Sequence, residues 1–263
     1  MKKYLFIYKT EIINNLQYIT NIVIGFIGYF LILFIFLNLW KYIYSDPNEI
    51  INGYSINQMI WYVIITEILW SILGGRKYCN KIINDVKEGN IAYNITKPYN
   101  YILYCLSTHL GTCTIKAIMY TILGLLTGYI FLGSFPNLNV LSILAVLLTS
   151  ILAITINTLI ITFIGLFAFI IEDTKPFYWI YSKINLVLGT IFPIEYFPKV
   201  IQPILKYTPI YVVSYGPAKL FVNFNIETFI KILIAQLIYI LIAFLLCTLI
   251  YNKGVKKLNV NGG

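Results

Sequence analysis

Few residues of this chain are suited to chemistry, and those few stand in unusual places. Glu67 and Lys116 lie inside long apolar runs, Glu67 about eleven and Lys116 about ten residues from the start of their runs. At a helical rise of about 1.5 Å per residue, both reach the middle of a bilayer. A charge at that depth is costly unless it is paired or watered. The expectation is an ion pair between Glu67 and Lys116 on adjacent helices, which either lines a polar path or fixes helix register. His109 is the only histidine. With Ser107, Thr108, Thr112 and Thr114 it makes the first half of its run polar, and it fits either a proton site or a hydrogen bond between helices, the commoner role.

Other chemistry is poorly supplied. Cys79, Cys105, Cys113 and Cys247 show no metal-ligand spacing. Glu172-Asp173 is the only adjacent acidic pair, and no D-D-x-x-D or His-Asp cluster occurs. A membrane-embedded lipid or prenyl transferase is therefore a weaker reading. So is a secondary transporter, because no paired repeat is visible. No G-x-x-x-x-G-K-[ST] segment is present, so no phosphate-cradling loop is expected on this chain. We expect no catalytic, cofactor or metal site.

Composition explains what must hold these residues. The chain is 59% hydrophobic and 11% charged, with a mean hydropathy of +0.81. That is too apolar for a soluble domain of this length. We read an all-α polytopic membrane protein, a single domain over 1–263, with six spans. They are Ile19–Trp40, Ile56–Leu73, Leu106–Phe131, Val140–Ile171, Phe177–Phe192 and Phe229–Tyr251. The first is too long and too late for a cleaved signal peptide. With both termini cytoplasmic, 12 of the 19 Lys and Arg residues fall inside, among them Lys2, Arg76, Lys97, Lys253 and Lys257. The net charge of +9 is then mostly topology, and its spread over several loops argues against nucleic acid.

Three segments depart from plain spans. Residues 1–17 form an interfacial amphipathic helix: Leu5, Tyr8, Ile12 and Leu16 share one face, and Thr10, Glu11, Asn14 and Gln17 the other. The basic stretch 75–102 divides in two. Arg76–Glu88 has Tyr78, Cys79, Ile82, Ile83 and Val86 at helical spacing, with Gly89 as the stop. Ile91, Tyr93 and Ile95 alternate with polar or small residues, which predicts a short extended piece, and Lys97-Pro98 predicts a new helix start. Finally, 192–222 holds five of the nine prolines yet is strongly apolar. That combination predicts short helices dipping into the outer leaflet and returning, with Glu195, Lys199 and Lys206 toward the headgroups.

This order of elements resembles the permease subunit of a bacterial type-2 ABC exporter. More narrowly, the resemblance is to the branch of uncharacterised permeases whose loop reads basic–x–G–x–I…L–x–K/R–P. Here the loop reads Lys87-Glu88-Gly89-Asn90-Ile91 through Ile95-Thr96-Lys97-Pro98, with Ile for Leu. Phe192-Pro193-Ile194-Glu195-Tyr196-Phe197-Pro198, Thr208-Pro209 and Tyr215-Gly216-Pro217 carry the outer signature. The resemblance implies two separate ATP-binding subunits, which hold the ATP and Mg, and a second permease chain, identical or not. It implies export of a hydrophobic or amphipathic compound across the bacterial cell membrane. It also implies that the loop after the second span couples to the ATPase, so Tyr78, Ile82, Ile83, Val86, Lys87, Glu88, Gly89, Lys97 and Pro98 are its expected coupling residues.

Overall fold

The computed structural model of this chain describes residues 2–46, 48–171 and 173–261, with side chains as far as Lys256. Glu172, the Lys257 side chain and the Gly262-Gly263 end lie outside the described residues. Helix α1 (Lys2–Gln17) leads through Tyr18 into α2 (Ile19–Ile43). A small hairpin follows, β1 (Ile50–Ile51) and β2 (Tyr54–Ser55), turned by Asn52 and Gly53 with φ of 50° and 84°. Both conformations are left-handed, as a two-residue Asn-Gly hairpin turn requires. Then come α3 (Ile56–Leu73), α4 (Arg76–Lys87), α5 (Ile91–Ile95), α6 (Tyr101–Leu132) and α7 (Val140–Leu166). The chain closes with α8 (Lys175–Asn185), α9 (Gln202–Lys206), α10 (Gly216–Val222) and α11 (Ile226–Asn261).

The lipid-facing band is legible from exposure. Ile24, Ile27, Leu31 and Phe34 on α2 stand out from the bundle, as do Ile118, Ile122 and Ile130 on α6. Leu144, Leu147 and Ile151 on α7 and Leu237, Leu241, Leu245 and Leu249 on α11 complete it. So much continuous apolar surface is stable only in lipid. Among the described residues, five helical stretches are long and apolar enough to cross: Ile19–Ile43, Ile56–Lys87, Tyr101–Leu132, Val140–Phe169 and Ile226–Lys256. The expected fifth span, Phe177–Phe192, is helical but interrupted. Here α8 gives way to a π turn at Leu186–Ile191, so a sixth crossing rests on this broken segment.

Helix α3 is the centre. It packs on α2, α6, α7, α10 and the π turn, and Met59 through Leu69 are almost all buried. Its polar side chains satisfy broken backbone elsewhere. The Tyr62 hydroxyl donates to the Gly189 carbonyl at 3.1 Å, and Thr66 donates to the Thr190 carbonyl at 2.9 Å. Irregular backbone at such depth needs protein partners of this kind. At its far end, the Asn157 amide of α7 donates to the Leu73 carbonyl at 3.0 Å and accepts from the Tyr181 hydroxyl at 2.8 Å. A further fixed point is Gln236 of α11, which donates to the carbonyls of Thr149 and Val212, each at 2.8 Å.

Asn157→Ala should therefore strip two partners at once. We expect a loss of about 1–3 kcal/mol in stability, the cost of leaving buried polar groups unpaired. The half-buried Thr155, bonded only within its own helix, serves as the control: Thr155→Ala should change little. Denaturation midpoints of the purified protein in one detergent would compare the two.

Candidate functional site

The segment after α3 is built differently from its sequence expectation. Helix α4 does carry Tyr78, Cys79, Ile82, Ile83 and Val86 on one stripe. That stripe is turned inward: Ile82, Ile83 and Cys79 are fully buried, and Val86 is nearly so. It rests on α7, where Gly165 lets Ile82 approach so closely that an added Cβ would lie 2.7 Å from it. The Tyr78 hydroxyl shares a 2.7 Å hydrogen bond with Thr162. Of the expected coupling residues, Ile82, Ile83 and Val86 are thus part of this protein's own core. The polar face of α4 is the one left open, with Arg76, Lys77, Lys81, Asn84, Lys87 and Glu88 exposed.

The rest of the loop brings two corrections. Gly89 ends the helix as expected, with φ of 75°. Ile91–Ile95, however, is the short helix α5 and not an extended piece. Ile91 alone of its three apolar residues is fully buried, and the alternation that pointed to a strand does not correspond to two faces. Lys97-Pro98 does not open the next helix either. Asn100 does, its side-chain oxygen accepting from the backbone N–H of Ile102 at 2.9 Å and of Leu103 at 3.1 Å, the standard N-cap arrangement. Lys97 instead lies 4.0 Å over the ring of the exposed Tyr93.

Glu67 and Lys116 do not meet. The described residues contain ion pairs at Lys219–Glu195 and Lys231–Glu227 and none at Glu67. Glu67 is 1% exposed and its Oε1 has no partner among the described residues. Register separates the two: on α6, Gly124 lies against Ile68 and Cys113 against the Ile72 carbonyl, so Glu67 is level with the Gly124 turn and Lys116 with the last turn of α3. Lys116 faces a cavity of about 590 Å³ between α1, α4 and α6, shared with His109, Arg76, Lys77 and Lys81. His109 is 3% exposed, lies 2.8 Å from the Thr158 hydroxyl through Nδ1 and stacks on Tyr78 at 4.2 Å. Those contacts tie α6 to α7 and α4.

Helix α1 forms the wall of this cavity through polar contacts. Glu11 and Asn15, expected on the outer face of α1 or unassigned, face α6: Asn15 reaches the Thr112 hydroxyl at 3.2 Å, and the Tyr8 hydroxyl bonds Thr114 at 2.8 Å. Gly111 permits that closeness, since a Cβ there would lie 2.8 Å from the Tyr8 carbonyl. Leu5, Phe6, Ile13 and Leu16 stay exposed, the apolar side of an interfacial helix. A second cavity of about 400 Å³ lies between α3, α6 and α7. It is lined by Ile65, Leu69, Ile72, Thr121, Leu125, Val146 and Ile154, and is almost wholly apolar. Of the α3 aromatics, Trp61 and Tyr62 are buried, with Trp61 Nε1 donating to the Ser134 carbonyl at 3.1 Å.

At the opposite end, the proline-rich segment folds into short pieces, α9 and α10 with a π turn at Tyr211–Tyr215 between them. Val212, Val213, Ala218 and Leu220 are fully buried beneath it. Glu195 does not stand toward headgroups with Lys199, as had been expected. It pairs with Lys219 at 2.9 Å and accepts from the hydroxyls of Tyr215 at 2.7 Å and Tyr54 at 3.0 Å. Lys219 also donates to the Tyr54 hydroxyl at 2.8 Å. Burial pushes the Glu195 carboxyl up, but Lys219 and the tyrosine donor outweigh it and hold it below the usual carboxylate range. Sequence reading missed Lys219 and Tyr54, and named Tyr215 only within Tyr215-Gly216-Pro217, not as a partner of Glu195. The signal for Lys219 was a lysine close to Pro217 in an otherwise apolar stretch.

The chain matches the family described as ABC-2 family transporter protein over residues 11–262, and it belongs to that family. It is a transmembrane permease. No curated protein matches it.

The Glu195 cluster sets a pH dependence. Its folded carboxyl binds protons more weakly than the unfolded one, so its stabilisation is complete above the ordinary value of about 4.3. It is lost as pH falls through that value and then through the lowered one. Between pH 6 and pH 3 the wild-type protein should lose more stability than Glu195→Gln, and the difference between their denaturation midpoints is the readout.

Proposed function

We propose that this ABC-2 family permease is the membrane part of an ATP-driven exporter in a bacterial cell membrane. ATP is hydrolysed on two separate subunits, which bind ATP and Mg, and a second permease chain completes the pathway. The cargo is a hydrophobic or amphipathic compound. The observation that carries this reading is the seating of α4. Its apolar face is locked onto α7 and its polar face is free, so a subunit that grips the free face moves α3, α4 and α7 together. Such a helix transmits displacement as a lever.

The partner's footing is the exposed end of α4 with α5: Asn84, Lys87, Glu88 and Tyr93. Exposed charges of this kind set register and on-rate, and an exposed aromatic supplies affinity. Both termini and this loop are cytoplasmic, in keeping with the distribution of Lys and Arg. The broken α8 segment provides the fifth of six crossings, and 192–222 forms a hairpin within the outer leaflet. The apolar groove between α3, α6 and α7 offers a hydrophobic cargo a surface at mid-membrane depth.

Two measurements test this. First, purification in mild detergent from the native host should bring down an ATP-binding subunit. Lys87→Glu with Tyr93→Ala should keep the permease folded and lose that subunit, whereas Ile82→Asp with Val86→Asp should unfold the α4–α7 contact and lower the permease's own yield. A charge-reversed face that still retains the ATPase would refute the footing. Second, an impermeant thiol reagent on intact cells should label Asn48→Cys and spare Asn84→Cys and Asn252→Cys. The four native cysteines are buried and supply little background. Labelling at Asn84→Cys would invert the topology.

A further inference from the structure

The cavity between α1, α4 and α6 is charged in a way that coupling to an ATPase does not require. Four basic side chains, Arg76, Lys77, Lys81 and Lys116, line it against one carboxylate, Glu11. That carboxylate is already occupied, its Oε1 accepting from Asn15 at 3.2 Å and Thr112 at 3.4 Å. None of the four cations forms an ion pair or donates a hydrogen bond among the described residues, although Lys81 also reaches over the Tyr104 ring at 6.0 Å. Lys116 is the telling one: half-buried on α6, it projects into this space beside the three cations of α4 and has no ion pair among the described residues. Like charges gathered without a free counter-charge repel one another, and an anion brought in from outside removes that cost. At about 590 Å³ the space is larger than a lone phosphate needs, and Ile22 and Tyr120 give it a partly apolar wall. It lies where the interfacial helix α1 meets the first lipid-facing helix.

We propose that this cavity binds a phosphate-bearing anion, with Arg76, Lys77 and Lys116 holding the phosphate and the apolar wall receiving the chains of an amphipathic ligand. Arg supplies a fork matched to phosphate oxygens, and Lys supplies point charges. A basic pocket between membrane helices at the headgroup level is a physical match for anionic lipid. The same chemistry would also take a soluble phosphate, and the experiment separates the two. The site goes beyond the exporter reading and does not depend on it. The assay contains no ATPase, so its failure leaves that reading standing.

The full-length chain is purified in mild detergent and placed in nanodiscs of phosphatidylcholine containing graded phosphatidylglycerol, and bound lipid is counted by native mass spectrometry. Wild type should retain phosphatidylglycerol over phosphatidylcholine, with the preference fading as salt rises. Lys116→Gln should weaken that retention by about tenfold or more, the scale of one lost charge-assisted contact. Arg76→Gln with Lys77→Gln, at the exposed rim where folding is not at risk, should do the same. Lys183→Gln, exposed on α8, should not. In a second arm, inorganic phosphate is titrated in. Displacement of the lipid at millimolar phosphate assigns the site to a soluble phosphate, and lipid that resists displacement assigns it to a headgroup. Equal retention of both lipids by wild type and by all variants, with no effect of phosphate, overturns the proposal.

Discussion

Everything in this fold answers to one constraint: a backbone surrounded by lipid tails must find its hydrogen bonds inside the protein. The straight helices α2, α6, α7 and α11 meet it on their own. The interrupted parts cannot, and they are held where α3 and its neighbours supply donors. Tyr62 and Thr66 serve the carbonyls released at Leu186–Ile191. Gln236 serves Val212 at the head of the second π turn, and the Ser214 hydroxyl donates to Asn185 Oδ1 at 2.9 Å. The broken segments are therefore gathered around α3, although Trp179, Ile180 and Val187 of the α8 segment still face outward. Architecture and hydrogen-bond economy are the same fact here.

Charge obeys a related rule with a different result at each end. Near the β1–β2 hairpin, Glu195 and Lys219 neutralise one another and the tyrosine hydroxyls use up the remaining capacity. That cluster is electrostatically closed. Around Lys116 the cations outnumber the acid, and the acid is engaged by neutral donors. That end is electrostatically open. The Glu195 cluster carries its own counter-charge, whereas the Lys116 cavity would need one from outside.

Much of this was legible in the sequence, for identifiable reasons. Ile56–Leu73 was read from its apolar length, and the helix keeps both ends because Ser55 and Gln58 form a capping box at one and Gly74-Gly75 follow the other. Arg76–Glu88 was read from a 3.6-residue stripe stopped by Gly89, and the helix runs Arg76–Lys87. The Glu67–Lys116 pairing failed because residue count within an apolar run does not fix how two helices slide past each other: α6 begins at Tyr101, before its apolar run, and packing sets Gly124, not Lys116, beside Ile68. The helix at Ile91–Ile95 was missed because five residues hold too few periods to separate alternation of two from one of 3.6. The Glu195 cluster joins residues more than a hundred positions apart, Tyr54 with Glu195 and Lys219. No local pattern announces such a meeting.

The most instructive ambiguity lies in α4. An amphipathic helix outside the bilayer has the same sequence signature whether its apolar face awaits a partner or is already buried at home. What decides is the receiving surface. Here α7 presents Gly165 opposite Ile82, with Ile161 and Ile164 beside it, so the face is already filled. A filled face gives rigidity that a docking face lacks. If α4 plugged into a partner, the partner's movement would be spent first on the hinge at Gly74-Gly75. Because α4 is fixed to α7, and Asn157 of α7 donates to the Leu73 carbonyl at the last turn of α3, the same movement would reach two membrane helices directly. Coupling through a buried stripe and an open polar face, as proposed above, would thus ask less of the partner's affinity and more of this chain's packing.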